Sequence, residues 1–412
     1  MSNRFHVVNA PDYAHQFSCV GPACPDTCCS GWRVDVDKTT YKKMQMLPND
    51  QESTWIKSYF QINPEGDTLR YAFINMDSTG GCPVQSAEGL CNIQSRFGED
   101  FLSKTCRTYP RQISHAGEGV EMYLQLSCPE AARLCLESDA PAALSPLTLD
   151  IPKGKPLTTS GGFSTSPGKK SDPITGVFWL LRDLIADLSQ RTDMPLWEVV
   201  VLVGIVCERL KRRFSESPAP RSDEIELIVL EAKLAALDGS FHRDVAIILP
   251  EERVLGMRAI YTQVLTNERL KLASSYRGKF FDLVAEAFKG YNTFMDTKAS
   301  STYVWSDQNP IVEKALRNYL RNEVGLQAFP NLKDPDLLQQ WRRIVIRYSL
   351  VSFYLQGLSK FHKEEFGMGH AVALVQGFSK AVAHNSAFLP RVDELLVSAG
   401  LDGVAGLGIL AR

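Results

Sequence analysis

The sequence predicts a mainly α-helical protein with a small, irregular α+β, cysteine-rich N-terminal region that binds metal, followed by an all-α C-terminal domain. Three observations support this fold class. Nine of the ten cysteines lie at or before Cys135, and only Cys207 lies beyond it. Apolar and polar residues alternate over 32–36, as in a short half-buried strand. From Ile174 onward, apolar residues recur at intervals of three and four, as on one face of a helix.

Length and composition indicate a globular protein of two or three domains. With 412 residues, 44% of them hydrophobic, and a net charge of -2, the chain can build a sizeable core but has no bulk positive charge to coat nucleic acid. The N-terminus lacks an apolar run of signal-peptide length, and the most apolar stretch, 199–207, is too short to span a bilayer. We therefore expect a cytoplasmic protein without membrane insertion, whose reduced thiols bind metal or perform redox chemistry.

Composition divides the chain into three regions. Residues 1–140 hold the clustered cysteines and short strand-like fragments, in which Asp35 and Asp37 are predicted to lie on a solvated face. Residues 141–173 are rich in Pro, Gly, Ser and Thr, and are expected to form a linker or a long surface excursion. Residues 174–412 are predicted to be helical and to recognise the substrate.

Start signals and periodicity place the helices of the third region. An aspartate followed by proline, a favoured helix start, occurs at Asp172-Pro173 and again at Asp334-Pro335. Residues 400–408 are glycine-rich and leave no room for a following helix, so we expect a flexible tail there. Further helices are predicted over 195–214, 223–237, 253–274, 279–290, 311–324 and 370–384.

The cysteines have spacings that suit metal ligation. Thiolates three or four residues apart can converge on one centre, and sulfur-only sites suit zinc or an iron–sulfur cluster. The spacing matches neither a zinc finger nor a bacterial ferredoxin, so it does not choose between these metals. Cys135 and Cys207 stand in apolar helical contexts and are interpreted as packing residues. The predicted metal ligands are Cys19, Cys24, Cys28, Cys29, Cys82, Cys91, Cys106 and Cys128.

Five motifs in order resemble the bacterial flagellin lysine-N-methylases. They are the segment from Cys19 to Trp32, Gly-Cys-Pro at 81–83, Gly-Leu-Cys-Asn-Ile at 89–93, Thr-Cys-Arg-Thr-Tyr-Pro-Arg at 105–111 and Ser-Cys-Pro-Glu-Ala-Ala-Arg at 127–133. A shorter core resembles small cysteine-rich zinc- or iron-chelating proteins. The resemblance implies methyl transfer from S-adenosylmethionine to lysine ε-amines of flagellin before export. It also implies an iron–sulfur cluster of the four-iron four-sulfur type, with zinc as the alternative metal.

Four side chains beside the cysteines are candidates for roles in this reaction. Tyr109 could orient or deprotonate the incoming amine, although a Tyr-Pro pair is more often a packed turn. Glu130 could contact a lysine or simply cap the helix that follows it. Arg107 and Arg111 could pair with the carboxylate of the donor cofactor or with structural acids.

The sequence leaves two chemistries and a competing function open. A neutral lysine amine can attack the donor methyl directly, beside a structural cluster. Alternatively, radical or cluster-assisted chemistry would need a cellular reductant as a partner, although Cys29 directly after Cys28 departs from the loop of familiar radical enzymes. The competing function is a non-catalytic cysteine-rich metal-binding or electron-transfer protein with a helical interaction domain.

Overall fold

The computed structural model describes residues 4–30, 33–78, 80–117, 119–139, 143–151, 162–164, 173–216, 220–248, 279–289, 309–334, 336–382 and 387–412. Within these ranges the protein is mainly helical, with two small sheets in its N-terminal part, which confirms the predicted α content. None of the described helices combines the length and apolar character needed to cross a bilayer.

A five-stranded sheet and a three-stranded sheet organise the N-terminal part. The strands are β1 (Arg4–Pro11), β2 (Asp35–Val36), β3 (Phe60–Ile62), β4 (Ala72–Ile74), β5 (Arg111–Gly117), β6 (Gly119–Leu124), β7 (Leu144–Ile151) and β8 (Gly162–Ser164). The larger sheet has the order β7-β1-β6-β5-β8, and the smaller has the order β2-β4-β3. In the larger sheet β1 is parallel to β6 and antiparallel to β7, while β5 and β6 form an antiparallel pair.

Short helices connect the strands of the N-terminal part. They are α1 (Asp12–His15), α2 (Lys38–Gln45), α3 (Gln51–Ser58), α4 (Asn92–Phe97), α5 (Lys104–Thr108) and α6 (Pro129–Glu137). Asp37 caps α2 by accepting hydrogen bonds from the Thr40 backbone N–H at 3.0 Å and its hydroxyl at 2.7 Å. Asp37 is therefore a buried cap, and its predicted place on a solvated face was wrong.

Longer helices form the C-terminal part. They are α7 (Pro173–Gln190), α8 (Leu196–Ser215), α9 (Ser222–Leu237), α10 (Ser240–Ile248), α11 (Lys279–Lys289), α12 (Pro310–Leu326), α13 (Leu337–His362), α14 (Met368–Val382), α15 (Phe388–Ser398) and α16 (Val404–Ala411). The predicted helices are confirmed with small shifts of their ends, except that 253–274 lies outside the described residues. Because Asp336 caps α13, that helix begins slightly later than the Asp334-Pro335 signal predicted.

Among the described residues, two large hydrophobic cores contain nearly all of the buried apolar side chains, and Ala116 and Phe178 form a small third cluster. The smaller core lies around the three-stranded sheet and includes Val36, Ile56 and Leu102. The larger core combines the five-stranded sheet with the long helices, so it includes residues on both sides of position 140. Three predicted ligands (Cys82, Cys91 and Cys106) pack against the smaller core, whereas Cys128 packs against the larger.

Two segments differ from their predicted conformations. Residues 144–151 of the expected linker form β7, which pairs with β1 along its whole length. The glycine-rich residues 400–408 are not a flexible tail, because α16 begins within them and is buried against α8 and α13. Glycine permits this close packing: a Cβ atom at Gly406 would lie 1.9 Å from the Leu401 carbonyl oxygen.

The packing of α16 predicts that a single methyl group at Gly406 destabilises the protein. We expect Gly406→Ala to lower the free energy of unfolding by about 1–3 kcal/mol, because the Leu401 backbone must move. Gly403→Ala is the matched control, since a Cβ atom at Gly403 meets nothing within 4 Å. Thermal unfolding of both variants measures the difference, and equal stability would contradict the packed C-terminus.

Candidate functional site

The loop that carries the first four cysteines is shaped by local hydrogen bonds. A 3₁₀ helix at Gly21–Ala23 separates Cys19 from Cys24. The Asp26 carboxylate then accepts a hydrogen bond from the Thr27 backbone N–H at 2.7 Å, and the Thr27 hydroxyl oxygen accepts one from the Cys29 N–H at 3.0 Å. Turns closed by side-chain hydrogen bonds of this kind fix the part of the loop that follows the 3₁₀ helix.

Hydrogen bonds join this loop to the second group of cysteines. The backbone N–H of Cys82 donates to the Cys29 carbonyl oxygen at 2.7 Å. The Gln85 amide donates to the Thr27 hydroxyl at 2.8 Å, and the backbone of Gln85 forms an isolated bridge with Cys91. The segments around the first and second groups of cysteines are therefore neighbours, although about fifty residues separate them in the sequence.

Cys106 and Cys128 belong to two different helical segments, and both lie within electrostatic reach of Cys28. Cys106 lies in α5, which Ser103 caps by accepting a hydrogen bond from the Cys106 N–H at 3.1 Å. Cys128 is the residue that precedes the first turn of α6. Tyr109 connects the two segments, because its hydroxyl lies 3.1 Å from the Ser127 hydroxyl.

Two side chains of α14 hold the cysteine loop against the helical part of the protein. The Lys380 ammonium donates to the Asp26 carboxylate at 2.8 Å, to the Thr27 carbonyl at 3.0 Å and to the Ser30 hydroxyl at 3.2 Å. The Gln376 amide donates to Asp26 at 2.7 Å and to the Ser127 carbonyl at 3.1 Å. One turn of α14 thus contacts the loop and the segment that precedes Cys128.

The charge and hydrogen bonds of Lys380 determine the ionisation of Asp26. Burial raises the pKa of the Asp26 carboxyl, but the hydrogen bond and positive charge of Lys380, together with hydrogen bonds from Thr27 and Gln376, outweigh that effect. The pKa therefore lies below its ordinary value, and Asp26 is an anion at neutral pH. This pair joins two charged groups that are both at most one-third exposed.

The thiol of Cys28 is central to the group. A hydrogen bond with Cys29 and burial raise the pKa of Cys28 far above its ordinary value. Cys28 in turn adds to the pKa increases that burial causes at four other thiols, which places those thiols within its electrostatic reach. The four are Cys24, Cys82, Cys106 and Cys128.

Burial raises the pKa of Cys106 to about 12 and that of Cys128 to about 11. A cation bound nearby would lower the pKa values of these thiols, because it stabilises the thiolates that burial and mutual repulsion disfavour. Within the part of the chain that the structure describes, no three His, Cys, Asp or Glu side chains have the arrangement of a single-ion site.

The four predicted non-cysteine residues have different surroundings. The Arg111 guanidinium lies 5.0 Å over the Phe17 ring, and burial lowers its pKa while Glu99 and, less strongly, Cys19 and Cys128 oppose that change. Arg107 has one buried guanidinium nitrogen without a hydrogen-bond partner. Burial raises the pKa of Tyr109, so it is a neutral phenol. Both carboxylate oxygens of Glu130 are bound by Arg133, at 2.7 and 2.9 Å, on the outer side of α6.

The two cysteines interpreted as packing residues lie apart from this group. Cys135 is 1% exposed and Cys207 is 0% exposed, and both belong to the larger core, as predicted. Sequence reasoning missed Asp26, Gln376 and Lys380. An Asp-Thr pair after a proline was a weak sign of a turn, but no feature of the sequence of α14 indicates a contact with the cysteines.

Comparison with known proteins identifies the family. The sequence model of the FliB lysine N-methylase C-terminal domain matches residues 182–410. A protein named lysine-N-methylase from Salmonella typhimurium is 23% identical over 388 residues, which cover 92% of each chain. The flagellar biosynthetic protein FliU of Salmonella muenchen is 34% identical over 137 residues, covering 33% of this chain and 80% of its own. No solved structure matches the chain. The chain belongs to the FliB lysine N-methylase family.

Proposed function

We propose that this protein transfers methyl groups from S-adenosylmethionine to the ε-amines of flagellin lysines in the cytoplasm, and that its N-terminal cysteines hold an iron–sulfur cluster. The names of the relatives, lysine-N-methylase and flagellar biosynthetic protein, support the reaction and the substrate. The observation that carries the proposal is that thiols from separate segments, among them Cys82, Cys106 and Cys128, lie within electrostatic reach of Cys28.

The donor set fits an iron–sulfur cluster better than a single zinc ion. Soft thiolates are the ligands that such clusters take, and a cluster of several atoms spans more space than one ion. The thiols that would hold it are among the eight predicted ligands, of which Cys19 and Cys28 are exposed and the others are partly buried. When bound, a cluster of this type can supply a Lewis-acidic iron or electrons.

Methyl transfer requires a neutral amine and an oriented donor. The amine nitrogen attacks the methyl carbon, the carbon–sulfur bond breaks, S-adenosylhomocysteine leaves, and a proton passes from the nitrogen to a base or to water. Arg111 lies beside the cysteines and can bind the donor carboxylate. Tyr109, a neutral phenol fixed by Ser127, can orient the amine. Glu130 would have to leave Arg133 before it accepted a proton, and Tyr109, as a neutral phenol, orients the amine but does not accept its proton, which passes to water.

The proposed reaction predicts that methylation depends on Cys28 and not on Cys207. We expect flagellin co-expressed with the wild-type protein to gain methyl groups on lysine, detected by mass spectrometry of its peptides. Cys28→Ala should abolish this modification, since it removes the central thiol, whereas Cys207→Ala should retain it. Unmodified flagellin with the wild-type protein would contradict the proposal and favour a binding or electron-transfer role.

The proposed cluster predicts iron and acid-labile sulfide in anaerobically purified protein. Visible charge-transfer absorption that dithionite bleaches should accompany them, and Cys28→Ala should lose metal and absorption together. Metal analysis and absorption spectroscopy measure both quantities. A colourless protein that contains zinc would contradict the cluster without contradicting methyl transfer.

The contact between α14 and the cysteine loop predicts that Lys380 helps to retain the metal. Lys380→Met should speed metal loss to a chelator about tenfold, because hydrogen bonds to a charged group contribute on the order of 1.5–3 kcal/mol. The control is Lys233→Met, which breaks an exposed ion pair in which the Lys233 ammonium lies 2.6 Å from the Asp187 carboxylate. Equal rates of metal loss in the two variants would show that the loop holds its shape without α14.

A further inference from the structure

Helix α9 has two apolar faces, one buried and one exposed. The buried face packs on α7 and α8 and belongs to the larger core; its residues are Ile225, Ile228, Val229, Ala232 and Ala236. The opposite face carries a leucine stripe, whose four members are each between 52% and 67% exposed: Leu227, Leu230, Leu234 and Leu237. A surface helix normally presents polar side chains to water, so an apolar stripe of this kind marks a contact site.

The spacing of the leucine stripe is that of a contact line between two helices. Intervals of three, four and three residues separate its members, and apolar residues with this average period of 3.5 line the seam of paired helices. The spacing is also symmetric about its midpoint. Two copies of α9 that lie antiparallel across a two-fold axis therefore place Leu230 against Leu234 of the second copy, and Leu227 against its Leu237.

The charges beside the leucine stripe are self-complementary. On one side, the Arg209 guanidinium of α8 lies 2.6 Å from the Glu231 carboxylate. On the other side, the Lys233 ammonium lies 2.6 Å from the Asp187 carboxylate of α7. All four side chains are at least 36% exposed. In an antiparallel pair, each side of the stripe meets the same side of the second copy, so every acid lies near a base from both copies.

The charges near the leucine stripe do not suit a lipid surface. Helices that lie on membranes carry mainly Lys and Arg beside their apolar face, and those bases attract anionic lipids. Three acids and one base of residues 226–238 flank the leucine stripe instead. The acids are Glu226, Glu231 and Asp238, and the base is Lys233. This balance favours a protein helix as the partner.

We propose that the leucine stripe binds the leucine stripe of a second copy of this chain, in an antiparallel dimer with two-fold symmetry. Four partly exposed leucines on each copy bury little area, at the low end of specific interfaces, below about 1,200 Å² in total. The dimer is therefore weak and forms at micromolar concentrations of protein. The proposal is independent of methyl transfer, because α9 contributes none of the residues assigned to that reaction.

Sedimentation equilibrium of the full-length, metal-loaded protein tests the dimer between about 1 and 100 µM. We expect the wild type to change from monomer to dimer in this range. Leu230→Lys and Leu234→Glu should each weaken association about a hundredfold, because each places a charge against leucine at two points of the interface. Val397→Glu is the matched control, since it changes a half-exposed apolar residue on α15, and it should associate like the wild type.

An equimolar mixture of Leu230→Lys and Leu234→Glu tests the direction of the pairing. In the mixed antiparallel dimer, the introduced lysine faces the introduced glutamate once. Leu234 of the first variant then faces Leu230 of the second, as in the wild type. The mixture should therefore associate more tightly than either variant alone. A parallel dimer would gain no such pair, because positions 230 and 234 would not meet.

Several results would overturn the proposal. A wild-type protein that stays monomeric over the whole range, or a mixture that associates no better than the separate variants, contradicts the antiparallel dimer. Monomeric protein that binds phosphatidylethanolamine–phosphatidylglycerol vesicles or purified flagellin, and loses that binding with Leu230→Lys, would assign the leucine stripe to that partner instead. Circular dichroism confirms that each variant is folded, so that weaker association reports on the interface alone.

Discussion

The ion pair between Lys380 and Asp26 is the contact on which the arrangement of the cysteines depends. The loop that carries Cys24 and Cys28 contributes no residue to either buried core, and its regular structure is a single 3₁₀ turn. One ammonium group bonds three oxygens of this loop, 350–354 residues away in the sequence. The helical part of the protein therefore holds the cysteine loop, whose Cys28 lies within electrostatic reach of Cys106 at the smaller core and Cys128 at the larger.

This arrangement gives a bound metal a structural role as well as a chemical one. Cys82, Cys91 and Cys106 belong to the edge of the smaller core, and Cys128 belongs to the edge of the larger. A cluster held by thiols from both would link the cores, and its binding free energy would stabilise the folded protein.

Local signals in the sequence predicted much of the fold and part of the site. Periodicity located α8, α9 and α12, because one apolar face per helix is a property of neighbouring residues. The number and spacing of cysteines predicted a metal site; the structure places four thiols within electrostatic reach of Cys28, and metal binding there stays a prediction. The tail at 400–408 was misjudged, because its glycines allow α16 to pack closely rather than to move freely. The role of Lys380 could not be predicted, since its partners come from a distant segment that only the tertiary structure brings close.

Cysteine labelling tests most directly whether the thiols form one site. Full-length protein is treated with iodoacetamide under anaerobic conditions before and after metal removal, and each cysteine is located by peptide mass spectrometry. Cys24, Cys28, Cys82, Cys106 and Cys128 should be protected together and become reactive together, while the core residues Cys135 and Cys207 stay protected throughout. Independent labelling of these five thiols, or equal labelling with and without metal, would contradict a shared centre.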